Sequence, residues 1–299
     1  QSALERLLAA QRAAFRRDGF PAADIRIDRI TRLQALLLEN ADALAEAAAE
    51  DFGTRPATLT IAAEILTTVE ELQHQKKHLA RWMTPLRGGK LWRTAGLQRD
   101  VHYVPKGVVG VLGPWNFPIQ LTMVPAGTAL AAGNRVLVRP SSVTAQTSAI
   151  LADLAGRYFA TEELAVVTAT HGSGADFSKL DLDHLFFTGA TEVGAIVAAQ
   201  AGADLTPVTL ELGGKNPAVV DIDADIDTAA RRVADSRLIN SGQVCLCPDY
   251  AYVPADRVDR FIDAVLSRWR ATVGDAVSNP HYTSIINSMN FERIVALLD

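Results

Sequence analysis

The chain has 299 residues, with 29 Lys+Arg against 34 Asp+Glu and a formal net charge of −5. Its hydrophobic fraction of 48% and charged fraction of 21% exclude a disordered chain and describe a soluble globular one, long enough for two domains. A pI of about 5.7 without a Lys/Arg block speaks against nucleic acid as a partner, and no apolar run approaches the roughly 18–20 residues of a bilayer span.

The first stretch, Ser2–Arg17, is Arg-rich and amphipathic. Leu4, Leu7, Leu8, Gln11 and Phe15 share one helical stripe, so a helix docked on the domain is expected rather than a transit peptide. Residues 1 to about 83 read as helix throughout. Ile25, Ile27, Ile30, Leu33, Leu36, Leu37 and Leu38 form one face, and Asp51-Phe52-Gly53 supplies a stop. A further helix is expected over Thr58–Trp82, where Ile61, Ile65, Val69 and Leu72 recur every three or four positions. Pro85 and Gly88-Gly89 break the pattern, and Trp92–Lys106 reads as an exposed hairpin.

From Val108 the texture changes to short β-branched runs separated by helical stretches. Val108–Leu112, Arg135–Val138, Leu164–Val167, Leu185–Phe187 and Ala218–Val220 read as strands buried on both faces. Helices such as Thr144–Phe159 and Thr191–Ala203 fall between them. The alternation predicts an α/β fold with a doubly wound parallel sheet. A second α/β segment is expected after about Gly213, with a helix from Ala224 to Ile239, a strand at Tyr250–Val253 and a helix at Ala255–Arg270. The chain opens on Gln1 and stops at Asp299 within an apolar helical pattern, Ile294–Leu298, which reads as a piece of something longer.

Cys245 and Cys247, one residue apart, cannot staple a fold, which excludes a disulfide-rich secreted class. The six His form no ligand-spaced cluster with them, so no metal is expected. No signal peptide is read, and a cytoplasmic protein is expected.

In a doubly wound sheet, ligands bind outside the carboxyl ends of the strands. Four segments there carry chemistry. In Gly113-Pro114-Trp115-Asn116-Phe117-Pro118, two prolines set the loop geometry, and Asn116 can stabilise an oxyanion or cap a helix. Phe187-Thr188-Gly189-Ala190-Thr191 to Gly194 opens a helix and suits a phosphate on backbone N–H groups, or is a plain turn. Glu211, inside Leu210–Gly214, is enclosed by apolar neighbours and suits general-base work with a raised pKa, or is a structural partner of Lys215. Cys245, in the turn Asn240–Pro248, is a reachable thiol or an inert one.

Together these segments resemble the aldehyde dehydrogenase superfamily. Pro114–Pro118, Phe187-Thr188-Gly189, Glu211–Pro217 and Asn240-x-Gly242-Gln243-x-Cys245 stand in that family's order and spacing. Cys247-Pro248-Asp249-Tyr250 and His102–Gly107 look most like the coniferyl-aldehyde and fatty-aldehyde branch.

The resemblance implies a Rossmann-type dinucleotide domain over residues 1–212, with the hairpin as an oligomerisation excursion, and part of a catalytic domain over 213–299. It implies Cys245 as nucleophile, Glu211 as the base that activates water, and Asn116 with the Cys245 N–H as oxyanion donors. NAD or NADP would be held by Pro114, Trp115, Asn116, Arg139, Ser141, Ser142, Phe187, Thr188, Gly189, Ala190, Thr191, Gly194, Glu211 and Leu212. Oxidation of an aromatic or aliphatic aldehyde to its acid, in a homodimer, is what the family then suggests. The alternative is a truncated member that binds a dinucleotide or a partner protein without turnover. Arg139-Pro140-Ser141-Ser142 departs from the family's usual Lys-Pro-Ser-Glu, and the departure points to acceptance of NADP through Arg139 and Ser142.

Overall fold

The computed structural model describes residues 2–89, 94, 96, 97 and 99–298. A five-stranded parallel sheet is its centre, in the order β5-β4-β3-β6-β7. Its strands are β3 (Val108–Leu112), β4 (Arg135–Arg139), β5 (Leu164–Val166), β6 (His184–Gly189) and β7 (Val208–Leu212). Side chains alternate between the two faces of each strand, so each face has its own core. Val109, Val111, Val136, Val138, Leu164 and Val166 meet the helices α2 (Ala23–Glu39), α5 (Thr67–Trp82), α6 (Gln120–Ala131) and α7 (Ala145–Tyr158). Val108, Leu112, Leu137, Leu185 and Phe187 meet α1 (Ala3–Asp18), α8 (Gly174–Ser178) and α9 (Thr191–Ala203).

The expected docking of the first helix is observed. Ser2 and Glu5 form a capping box at its start, and Leu4 and Leu8 are buried. Buried Gln11 ties α1 to the sheet by donating to the carbonyls of Val136 (2.9 Å) and Thr161 (2.8 Å). On α2, Ile30, Leu33, Leu36 and Leu37 are buried, whereas Ile25 and Leu38 at the rim of the stripe are exposed. After α3 (Ala41–Phe52), the long helix expected to Trp82 is present but interrupted. Its first turn, α4 (Ala57–Thr60), passes through a π-helical turn, Ile61–Leu66, into α5.

Glu163 sits between two arginines of α2, accepting from Arg29 Nε and Arg32 Nη1, both at 2.9 Å. Burial alone would raise its carboxyl. Hydrogen bonds from Arg32 and Arg29 outweigh burial and hold the group below the usual carboxylate range. A depressed folded pKa gives stability that is present above the unfolded value and lost as pH falls through the folded one. Glu163→Gln is expected to lower the unfolding free energy by about 2–3 kcal/mol near neutrality. It should also flatten the acid limb of stability, which urea midpoints across pH would show.

Two strand expectations are corrected. Ala218–Val220 is not a strand of the main sheet. It falls in β8 (Asn216–Val219) and the residue after it, and β8 pairs in parallel with β9 (Pro248–Tyr252) in a separate two-stranded sheet. The fifth main-sheet position belongs to β7, whose pairing with β6 sets Thr188 against Glu211 and Gly189 against Leu212. As an edge strand, β7 is only half covered. The hairpin stem also begins earlier than expected. β1 (Leu86–Arg87) pairs antiparallel with β2 (Asp100–Val101), while residues 92, 93, 95 and 98 of the expected hairpin lie outside the described residues.

Beyond β8, α10 (Ile226–Leu238) packs on β9 and α11 (Val258–Val273) around Ile226, Ala230, Ala234, Phe261 and Val265. The last helix is α12 (Ser288–Val295). Among the described residues, no helix is long and apolar enough to cross a membrane.

Candidate active site

The sheet order reverses at β3, which has β4 on one side and β6 on the other. The carboxyl ends of β3 and β6 therefore flank the switch point, where open α/β sheets bind ligands. Gly113 leaves β3 where a Cβ would stand 1.9 Å from Thr122 Cγ2, so only glycine lets α6 approach. Pro114 beyond it is buried, and Trp115 and Asn116 are half-buried.

At the end of β6, Thr188 is buried and its Oγ1 has no hydrogen-bond partner. Gly189 and Ala190 lead into α9, whose N-cap, Ala190, supplies no side-chain acceptor. The first-turn N–H groups near Thr191 are thus open to an anion. Gly194 brings α9 close to β7, since a Cβ there would lie 2.7 Å from Leu212 Cδ2. An orphaned hydroxyl beside an uncapped helix N-terminus at the switch point fits a dinucleotide diphosphate.

Arg139 behaves differently from expectation. Its side chain is buried, with Nη1 donating to the Pro140 carbonyl (3.1 Å) and Nη2 to the Gly172 carbonyl (2.9 Å). The fork binds the loop after β5 and is not presented to a ribose phosphate. Ser141 Oγ accepts from the Val143 N–H, whereas Ser142 is exposed.

The cysteine turn is tightly built. After α10 the backbone takes three successive positive φ values, 51° at Asn240, 54° at Ser241 and 75° at Gly242. Such φ values cost a non-glycine residue about 1–2 kcal/mol each, so surrounding bonds must hold them. Ser241 Oγ donates to the Thr283 carbonyl. Gln243 Nε2 donates to the carbonyls of Asn240 (2.9 Å) and Ser284 (3.0 Å), and Gln243 Oε1 accepts from the Ile286 N–H. Cys245 is half-buried at the end of this turn. Cys247 is buried, and its Sγ accepts from Arg237 Nη1 at 3.0 Å.

The Asn116 side chain does not cap a helix. Its Nδ2 donates to the Gln243 carbonyl at 3.0 Å, two residues before Cys245. The segment after β7 reaches the same turn, because Asn216 Nδ2 donates to the Cys245 carbonyl at 2.9 Å. Gly214 permits this approach, since a Cβ there would stand 3.0 Å from the Cys245 oxygen. Glu211 is exposed on edge strand β7 and is not enclosed by apolar neighbours as expected, because no further strand covers that edge among the described residues. Lys215 pairs with Asp249 (3.3 Å) instead of Glu211.

Two residues here carry no motif. Arg55 and Glu64 form an ion pair at 2.7 Å with both side chains fully buried. Glu64 Oε2 accepts the N–H groups of Ile119 (2.7 Å) and Gln120 (3.2 Å). Burial pushes the Glu64 carboxyl up and the Arg55 guanidinium down, and each charge offsets the other's shift. Arg55 Nη1 donates to the Asn116 carbonyl (3.1 Å) and to Asn240 Oδ1 (2.9 Å). One signal is available in the sequence. Glu64 falls on the buried stripe of its helix beside Ile61 and Ile65, an unusual place for a lone carboxylate.

A cradle at the switch point of an open parallel sheet, with the Cys245 turn tied to the loop after β3, defines the dinucleotide-binding class of α/β fold. The sequence profile described as the Aldehyde dehydrogenase family matches residues 1–299, and the chain belongs to that family. It is 42% identical over 271 residues to a coniferyl aldehyde dehydrogenase of Pseudomonas sp., a match that covers 91% of this chain and 56% of that protein. It is 36% identical to a dimeric NADP-preferring aldehyde dehydrogenase of Rattus norvegicus, covering 96% of this chain and 64% of the relative. The chain thus spans less than two thirds of the length of either. Among solved structures, a substrate-bound AldH of Staphylococcus aureus superposes with a TM-score of 0.93 at 27% identity, covering 100% of this chain and 65% of the other. AldC of Pseudomonas syringae, as a cysteine-to-alanine mutant with NAD+ and octanal, superposes at 0.86 with 25% identity, covering 98% and 60%.

Proposed function

We propose that the protein to which this chain belongs oxidises an aldehyde to its carboxylic acid with NAD or NADP, using Cys245. The observation that carries the reading is the Asn116 amide fixed to the carbonyl of Gln243, two residues before the thiol. Residues 1–212 form the dinucleotide-binding part and 213–299 the first part of the catalytic domain.

The Cys245 thiolate attacks the carbonyl carbon. A C–S bond forms and the C=O electron pair moves to oxygen. One Asn116 amide hydrogen is occupied by Gln243, which leaves the other for this oxyanion, together with the Cys245 N–H. A dinucleotide held beside Thr188 and the first-turn N–H groups of α9 would supply the hydride acceptor, and Cys245 would keep the acyl group as a thioester. Glu211 removes a proton from water, the resulting hydroxide adds to the thioester, and the C–S bond breaks to release acid and thiolate. Its exposure sets the carboxylate where water reaches it.

The similarity to coniferyl aldehyde dehydrogenases supports aromatic aldehydes, with aliphatic ones also in range. The NADP-preferring relatives support a homodimer and the second dinucleotide. Because Arg139 is engaged with backbone, acceptance of NADP rests on exposed Ser142 and on the absence of a carboxylate there. A second reading, dinucleotide or partner binding without turnover, is favoured by exposed Val219, Ile222 and Leu246 around the two-stranded sheet.

Aldehyde-dependent formation of reduced dinucleotide tests the proposal, with coniferyl aldehyde and octanal against each cofactor. Turnover with both dinucleotides is expected. Its absence with every aldehyde leaves the binding reading, and a preference of about a hundredfold or more for NAD, or about 3 kcal/mol, overturns the NADP part.

A further inference from the structure

We infer that Arg55 is a positioning residue that clamps the oxyanion amide to the thiol turn. The inference rests on the proposed roles of Cys245 and Asn116. Five hydrogen bonds close a ring around Arg55 Nη1. The guanidinium nitrogen donates to the Asn116 carbonyl and to Asn240 Oδ1. Asn240 Nδ2 returns to the Asn116 carbonyl (3.0 Å) and to the Gln243 carbonyl (3.3 Å). Asn116 Nδ2 closes the ring on that same Gln243 oxygen. The ring joins the loop after β3 to the left-handed turn that ends in Cys245, and no main-chain ladder among the described residues does this.

The ion pair behind the ring holds it still. Arg55 Nη2 is fixed by Glu64, its Nε donates to Thr60 Oγ1 (3.1 Å), and its face lies over Phe52 (4.5 Å) and Phe117 (5.4 Å). Glu64 in turn anchors the start of α6 through Ile119 and Gln120. Stability alone gives weak reason to bury such a pair, because well-packed apolar residues do as well. Arginine is suited here because its planar fork reaches Glu64 and both loops at once, which a lysine ammonium cannot do in fixed geometry.

Two thiol probes separate this role from a merely structural one, and neither needs a dinucleotide. In p-nitrophenyl acetate, the Cys245 thiolate adds to the ester carbonyl through an oxyanion. The C–S bond forms, the aryl C–O bond breaks, and nitrophenolate leaves with the electron pair. In iodoacetamide, the thiolate displaces iodide from a saturated carbon, and no oxyanion forms.

Arg55→Lys keeps the charge beside Glu64 and loses the fork. The double variant Arg55→Met/Glu64→Gln removes the pair together, leaving no lone buried charge, and stands in should the first not fold. In either, nitrophenolate release is expected to fall about a hundredfold. Alkylation at Cys245, read by peptide mass, should stay within about twofold, because the probe needs no oxyanion donor. Asn116→Ala should show the same loss, and adding Arg55→Lys to it should cost less than about threefold more. An unchanged ester rate, a parallel fall of both probes, or multiplying effects overturns the clamp. Nitrophenolate release that survives Cys245→Ala would instead defeat the underlying assignment of the nucleophile.

Discussion

Cys245→Ala is expected to abolish the burst of reduced dinucleotide and all steady turnover, a loss of about 10⁴-fold or more, because it removes the covalent route. The expectation follows from the different placements of the two thiols. Cys245 is half-buried at the mouth of a turn held by Asn116, Asn216 and Gln243. Cys247 is buried with Arg237 on its sulfur, which gives it a packing and hydrogen-bonding role. Cys247→Ala should therefore keep the burst and lower the unfolding free energy by about 1–2 kcal/mol, from a small cavity and an unpartnered donor. Rapid-mixing absorbance of the two variants compares them directly. A burst lost in Cys247→Ala and kept in Cys245→Ala would assign the chemistry to the other sulfur.

Glu211→Gln has the second large effect and a different form. The amide keeps the shape of the side chain but cannot take a proton from water. The first turnover should run at its usual rate, giving a full burst. Steady turnover should then fall by about 10²–10³-fold as the thioester accumulates. The exposure of Glu211 fits this division, because the base has to work after the oxidation step and with water. A variant whose burst and turnover fall together would place Glu211 in an earlier step.

The legible parts of the sequence are those where a local pattern and the tertiary environment agree. β3 is a continuous apolar run and β4 an apolar centre between Arg135 and Arg139 because helices cover both faces, and both are recognisable as strands on that ground. β7 escapes the same reading because Val208-Thr209-Leu210-Glu211-Leu212 is the alternating pattern of a half-covered edge strand. Ala218–Val220 looks like a core strand, since apolar composition does not say which sheet a segment joins. The same limit explains Glu211, whose apolar neighbours in sequence do not enclose it in space.

At the site, Asn116, Thr188 and Cys245 can be found because their motifs are contiguous. Arg55 cannot, because its partners at Glu64, Asn116 and Asn240 lie on three separate elements and meet only on folding. Arg139 is legible as a departure from the family pattern, but its direction is not. The carbonyl of Gly172, on the loop after β5, decides where its guanidinium points.

The most direct test of the account is the mass of Glu211→Gln protein quenched during turnover with coniferyl aldehyde and NAD or NADP. An acyl adduct of the aldehyde's mass less one hydride and the thiol proton is expected, located by fragmentation on Cys245. An adduct on Cys247, or sustained dinucleotide reduction with no adduct on either cysteine, would contradict it.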